Sequence, residues 1–288
     1  MTKQLKRTPQ PMKSSEFEFN VDPRYLPPEL LWSAIEPLLP PERPKPRGGR
    51  PRMPDRQAFF AIYYLLSTGI QWKALPRSLG ASSTVHDRFT AWALDGVFER
   101  LWRNGLLEFD ISVGLCWTWQ SIDGAMTKAP LGGEQTGRNP TDRGKRGTKR
   151  HLLCEGHGLP IGMVVTGANR HDKTQVEAVL ESMPLPAPLP SQEDPQHLCA
   201  DKGYDYDDVR MLIYLWGYLD HIKSRGEEIS LKNQLGWRAR RWVCERTHSW
   251  FNRFRRLLIR WEKKPDNYLA LLHLACATIV WRRCPVFG

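Results

Sequence analysis

The sequence predicts an all-helical part followed by an α/β part built on a sheet. Two observations predict it. Up to about residue 110 apolar residues recur at helical spacing, whereas from Trp117 onward they fall into short β-rich runs bounded by Gly, Pro or charged turns. Those runs then alternate with helical ones in the order β-β-β-α-β-α-β-α, which argues for two domains joined near residues 107–115. The expected division is a flexible tail at 1–26, a helical domain at 27–110 and a second domain at 111–288.

Each element has its own signal. Residues 1–24 are polar and lack periodicity, and 27–39 (PPELLWSAIEPLL) predict a helix that Pro40-Pro41 stops. Residues 40–54, PPERPKPRGGRPRMP, predict a loop with five basic charges. At 55–66, Asp55 caps a helix with Phe59, Ile62, Tyr63 and Leu66 on one stripe, ended by Gly69. After a turn segment, Ser82 or Ser83 opens a second helix, STVHDRFTAWALDGVFERLWRNGL. The pair fits a helix-turn-helix whose second helix, with His86, Asp87 and Arg88 near its start, enters a DNA groove. An ordinary helical hairpin fits as well. The strands are TWQSID, HLLCEG, PIGMVVTGA, QHLCAD and 218–222; the later helices are 175–182, 206–215 and 237–261; and 183–195 is a Pro-rich surface connection.

Composition narrows the partners. With 42 Lys or Arg against 31 Asp or Glu, the 288 residues carry +11, and 41% apolar residues suffice for a core. No apolar run reaches the roughly 18–20 residues that span a bilayer, and the first residues lack a signal peptide's apolar run, so the protein is expected in the cytoplasm without membrane contact. Six cysteines stand singly, at spacings that suit neither a disulfide framework nor structural zinc. The basic excess is concentrated: residues 237–264 carry ten Lys or Arg against Glu245 and Glu262, and residues 138–150 carry six against Asp142. Such density is expected where phosphates are bound, by Arg143, Lys145, Arg146, Lys149 and Arg150 in one window and by Arg238, Arg241, Arg253, Arg255 and Arg256 in the other. Arg88 of the predicted groove helix is a further candidate.

Three acids stand out. Asp123 closes one predicted strand (SID-Gly) and Asp201 another (LCAD-Lys-Gly), and ligands of open α/β sheets bind beyond strand carboxyl ends. Glu245 is the only acid in 237–261. At about 100° per residue with Val243 at zero, Trp250, Phe254, Leu257 and Trp261 lie within roughly 40° of it, and Glu245 lies near 200°. Arg238, Arg241, His248, Ser249, Asn252, Arg255 and Arg256 share the Glu245 face, so a single carboxylate sits in a field of cations. Converging carboxylates bind hard divalent ions through oxygen, and a pair of ions can drive in-line displacement at phosphorus. The same acids also suit ordinary turn and ion-pair roles; His171-Asp172, after ANR, suits a place near the site, and Asp172 suits a helix cap at least as well. His248 suits phosphate contact or proton transfer.

Taken together, the strings SIDGAMTKAP, NPTDRGKRGTKRHLL, GLPIGMVVTGANRHD, ADKGYD and RRWVCERTHSWFNRFRRL resemble those of insertion-sequence transposases of the DDE class, in the group named after insertion sequence five. TGIQWKALP and STVHDRFTAW resemble the small helical domain that precedes their catalytic domain, and the resemblance covers most of 27–282. It implies an RNase H-like mixed sheet with flanking helices, preceded by a helix-turn-helix-like domain, with Asp123, Asp201 and Glu245 as catalytic and metal-binding acids for two Mg²⁺ ions, or Mn²⁺ in their place. It also implies double-stranded DNA as partner, both as terminal inverted repeats and as target, hydrolysis at the element end, joining of the 3′-hydroxyl, and a homodimer or larger assembly. Related transposases carry a Tyr-x2-Arg-x3-Glu-x6-Lys signature; Arg241 fits its Arg, whereas Arg238 stands at the Tyr position and Asn252 at the Lys position, beside Arg253. An RNase H-like nuclease without strand transfer, or a transposase-derived DNA-binding regulator, are the alternative expectations.

Overall fold

The computed structural model describes residues 19–42, 51–223 and 242–285. The amino-terminal part is helical: α1 (Glu29–Ile35), α2 (Asp55–Thr68), α3 (Ser82–Leu94) and α4 (Val97–Ser112). The α2 stripe is buried as its periodicity predicts, with Phe59, Ile62 and Leu66 at 0% exposure, and Gly69 ends it at φ 74°, a conformation glycine adopts without steric cost. Pro54 occupies the cap position expected of Asp55; Asp55 is the first helical residue and pairs with Arg88 and Arg52. The single second helix expected from the sequence is two helices, because Gly96 turns the chain at φ 69° between α3 and α4.

The sheet has six strands: β1 (Trp119–Lys128), β2 (Gly137–Arg138), β3 (Arg146–Glu155), β4 (Pro160–Gly167), β5 (His197–Ala200) and β6 (Leu219–Ile222). Central β1 runs antiparallel to β3 and parallel to β5; β3 also pairs with β4 and β2, and β5 with β6. Helices α5 (Val176–Glu181), α6 (Asp207–Leu215) and α7 (Trp242–Phe251) flank the sheet. The mixed sheet with flanking helices implied by the resemblance is therefore present.

Two features depart from the periodicity. The helix expected over 237–261 ends at Phe251; turns and the 3-10 segment Arg255–Leu257 follow, and Ile259 then bridges to Lys128 at the end of β1. Trp261, placed on the buried stripe by the helical projection, is instead 38% exposed. Helix α8 (Pro265–Trp281) has no counterpart in the sequence-based assignment, because it is buried nearly all round and so shows no one-sided stripe. It packs on both α4 and β4. Trp281 Nε1 donates to Leu101 O at 3.1 Å, and Trp102 Nε1 donates to Pro160 O at 2.8 Å, so helices and sheet share one continuous core.

Candidate active site

The acids are brought together by strand register. Ser121 pairs with Cys199 across the parallel β1–β5 edge, so two residues further along both chains Asp123 stands beside Asp201. Asp123 does not end its strand: β1 continues to Lys128 because β3 accompanies it, whereas β5 stops at Ala200. Asp201 then caps the 3-10 turn Lys202–Tyr204, its Oδ1 accepting from Gly203 N at 2.8 Å. Helix α7 brings the third acid. Its buried residues, Val243, Cys244, Thr247, His248 and Phe251, centre about 70° from Val243 at 100° per residue. Cys244 Sγ lies 2.9 Å from Ser121 O on β1, and its neighbour Glu245 is exposed.

The charges of the other acids are felt at Asp123. Burial raises the Asp123 carboxyl to about 6, against a hydrogen bond from Gly124 N, and the charges of Asp201, Asp172 and Glu245 add to the rise. Of the two roles the sequence offers Asp172, the cap falls to His171 instead, and the charge of Asp172 is felt at Asp123. Side chains alternate along a strand, and Gly124 opposes His151 in the register, so Asp172 reaches the site from the sheet face opposite Asp123. A side chain at Gly124 would collide with it. Asp172 Oδ2 accepts from Lys149 Nζ at 2.9 Å, and its Oδ1 lies 3.3 Å from His151 Nδ1. Burial works against its ionised form, but the interactions with His151 and Lys149 outweigh that and hold the carboxyl at about 2. The signal in the sequence was the pairing of ANRHD with a Gly directly after Asp123.

His248 is 8% exposed, with Nε2 3.7 Å from Asp123 Oδ2. Burial, helped by the charge of Arg150, pushes it down to about 3, so at neutral pH it is an uncharged imidazole beside Asp123 and not half of a salt bridge. Being enclosed, it does not face a phosphate strand.

The candidate phosphate contacts separate into two groups. Arg143, Lys145, Arg146, Asn252, Arg253 and Arg255 are exposed, and Lys145 and Arg146 line a cleft with Lys128. Lys149 and Arg150 are 6% and 3% exposed because residues 146–150 belong to β3; Lys149 holds Asp172, and Arg150 donates to Asn252 Oδ1 at 3.0 Å. Arg88 and Arg256 are likewise enclosed, by Asp55 and Glu262 respectively. These four cations serve internal partners rather than a solvent-borne strand. Arg238 and Arg241 lie outside the described residues.

A family model described as the transposase DDE domain matches residues 120–280, over half of the chain and including all three acids. The chain belongs to the DDE transposases. A second model, of IS4/5 family transposases, matches residues 28–102 of this transposase. The transposase for insertion sequence element IS402 of Burkholderia cepacia is 37% identical over 152 residues, covering 52% of this chain and 70% of that protein. The transposase for insertion sequence element IS6501 of Brucella ovis is 26% identical over 143 residues, covering 47% and 98%. A solved Mos1 mariner paired end complex with Mn aligns over 89% of this chain and 87% of its own at 11% identity, with a TM-score of 0.27. Nucleotidyl transfer is the chemistry of the transposase's family, with divalent metal as its usual cofactor.

The donor set fits such a metal. It consists of carboxylate oxygens, the hard donors that divalent ions of this kind take. The fit rests on this chemistry, since among the described residues no three His, Cys, Asp or Glu form a ready-made cage. Among them, too, no helix is long and apolar enough to cross a membrane.

The raised Asp123 predicts a trade between stability and function. A carboxyl whose folded pKa lies above its unfolded value destabilises the fold as pH rises between the two, from about 4 to about 6. In EDTA at pH 7.5, Asp123→Asn is therefore expected to stabilise the protein by about 1–2 kcal/mol, after discounting for the third of the side chain still in solvent. Thermal melts that show no gain at pH 7.5, or the same gain at pH 4, would refute it.

Proposed function

We propose that this transposase binds the terminal inverted repeats of an insertion sequence as double-stranded DNA, hydrolyses the phosphodiester at the element end and joins the freed 3′-hydroxyl to target DNA. The observation that carries this reading is the strand register that sets Asp123 beside Asp201, with Glu245 exposed on the helix packed against β1 and exposed cations on the α7 to α8 connection. Asp123, Asp201 and Glu245 would hold two Mg²⁺ ions, or Mn²⁺, which polarise the phosphoryl oxygens and activate the attacking hydroxyl. Around them the chain's own groups position the substrate. The exposed Arg143, Lys145, Arg146, Arg253 and Arg255 contact phosphates, which fixes the duplex without reading its sequence. Neutral His248 packs beside Asp123, and Lys149 keeps Asp172 ionised across the sheet from it. The helices of 27–110 contribute end recognition and 111–288 the chemistry, in a dimer or larger assembly that holds two ends.

The test is incubation with a labelled element end, target DNA and Mg²⁺, followed by mapping of cut and joined strands. Nicks at the element end together with joined products are expected. Nicks without joining would assign a nuclease instead, and absence of any metal-dependent nick a DNA-binding regulator.

A further inference from the structure

Under the carboxylates lies a donor that this chemistry leaves unused. Tyr204 closes the 3-10 turn that Asp201 caps, and it is 1% exposed. Its hydroxyl is buried and has no hydrogen-bond partner among the described residues. The turn that carries it is capped by Asp201 and packs against the turn Asp172–Gln175, which sets the phenol in the neighbourhood of both acids; burial first, then the charges of Asp172, Asp123 and Asp201, raise its pKa. An acceptor with room for a donor is also there: Asp172 Oδ1 is buried and has only the 3.3 Å ion-pair contact with His151 Nδ1. A buried hydroxyl left unsatisfied costs about 1–3 kcal/mol, and folded proteins retain few of them without a reason.

We infer that Tyr204 is a positioning residue of the carboxylate centre: in the ion-loaded site its O–H donates to an oxygen of the Asp123, Asp172 and Asp201 cluster and fixes the orientation of that carboxylate. The inference rests on the metal-dependent reading above. It follows from charge. Carboxylates are strong acceptors for a phenol O–H; their mutual repulsion keeps them spread apart, and once ions draw them together a donor already enclosed beside them holds one oxygen in place. Supporting partners of this kind typically tune metal affinity by about 10–100-fold.

The test compares full-length wild type with Tyr204→Phe, which removes only the hydroxyl. Thermal melts are recorded in EDTA, and Mn²⁺ binding is titrated by electron paramagnetic resonance. The variant is expected to melt at or above the wild-type temperature in EDTA, because it discards a partnerless group, and to bind Mn²⁺ about tenfold more weakly. Unchanged Mn²⁺ affinity overturns the inference. A lowered melting temperature in EDTA also overturns it, since the hydroxyl would then support the metal-free fold. Wild type that binds no Mn²⁺ would defeat the metal-dependent reading and this inference with it; wild-type binding that Asp123→Asn abolishes keeps the two failures distinguishable.

Discussion

Glu245→Gln is expected to lower end cleavage by about a thousandfold or more while leaving affinity for element-end DNA within roughly a factor of two. The magnitude follows from the several kcal/mol of charge stabilisation that a metal supplies in the transition state, of which each 1.36 kcal/mol is a factor of about ten. The substitution keeps shape and removes one ionised oxygen donor. Its effect on binding is small because phosphate contacts belong to Arg and Lys, and losing a negative charge from a basic surface does not weaken them. Asp123→Asn is expected to give the same pair of results, with the added stability in EDTA described above. Cleavage rates with Mg²⁺ and a filter-binding isotherm on the same preparation decide the matter. Cleavage that persists in either variant would show that the acid in question does not hold metal.

Arg256→Ala is expected to be the most destabilising of the basic-residue changes. Arg256 is 4% exposed; its Nε and Nη2 donate to Glu262 Oε1 at 2.9 and 2.6 Å, and its Nη1 donates to Ile70 O at 2.9 Å, tying the α7 to α8 connection to the turn after α2. Truncation would leave Glu262, 6% exposed, with its charge enclosed and unpaired. Breaking such a pair costs about 3–5 kcal/mol, which in a chain of this size lowers Tm on the order of 10 °C. Replacing both partners with apolar residues, Arg256→Met with Glu262→Leu, is expected to recover most of the loss. Had Arg256 served DNA, its truncation would instead weaken binding and leave Tm unchanged.

The candidate acids were legible because their neighbourhoods are local: Asp123 and Asp201 each end a β-rich run of the sequence, and Glu245 is a lone carboxylate among cations. What the sequence concealed came from pairing across the chain. Lys149 and Arg150 read as a basic surface until β3 turns them toward Asp172 and Asn252. Projecting 237–261 on one wheel assumed continuous 3.6-residue periodicity; the break after Phe251 moves Trp261 out and encloses Arg256. Periodicity also has nothing to register in α8, which is apolar on every side. For Asp172 the sequence left a cap and a place near the site open, because its approach depends on the missing side chain of Gly124, a residue of β1 far from it along the chain.

The placement of α8 constrains how such a protein can be rebuilt. Because this helix is wedged against both α4 and β4, the amino-terminal helices are not a cassette that could be exchanged for another recognition module at a linker. A chimera would have to carry the matching α8 surface along with them, and heating should melt both portions in one step rather than two.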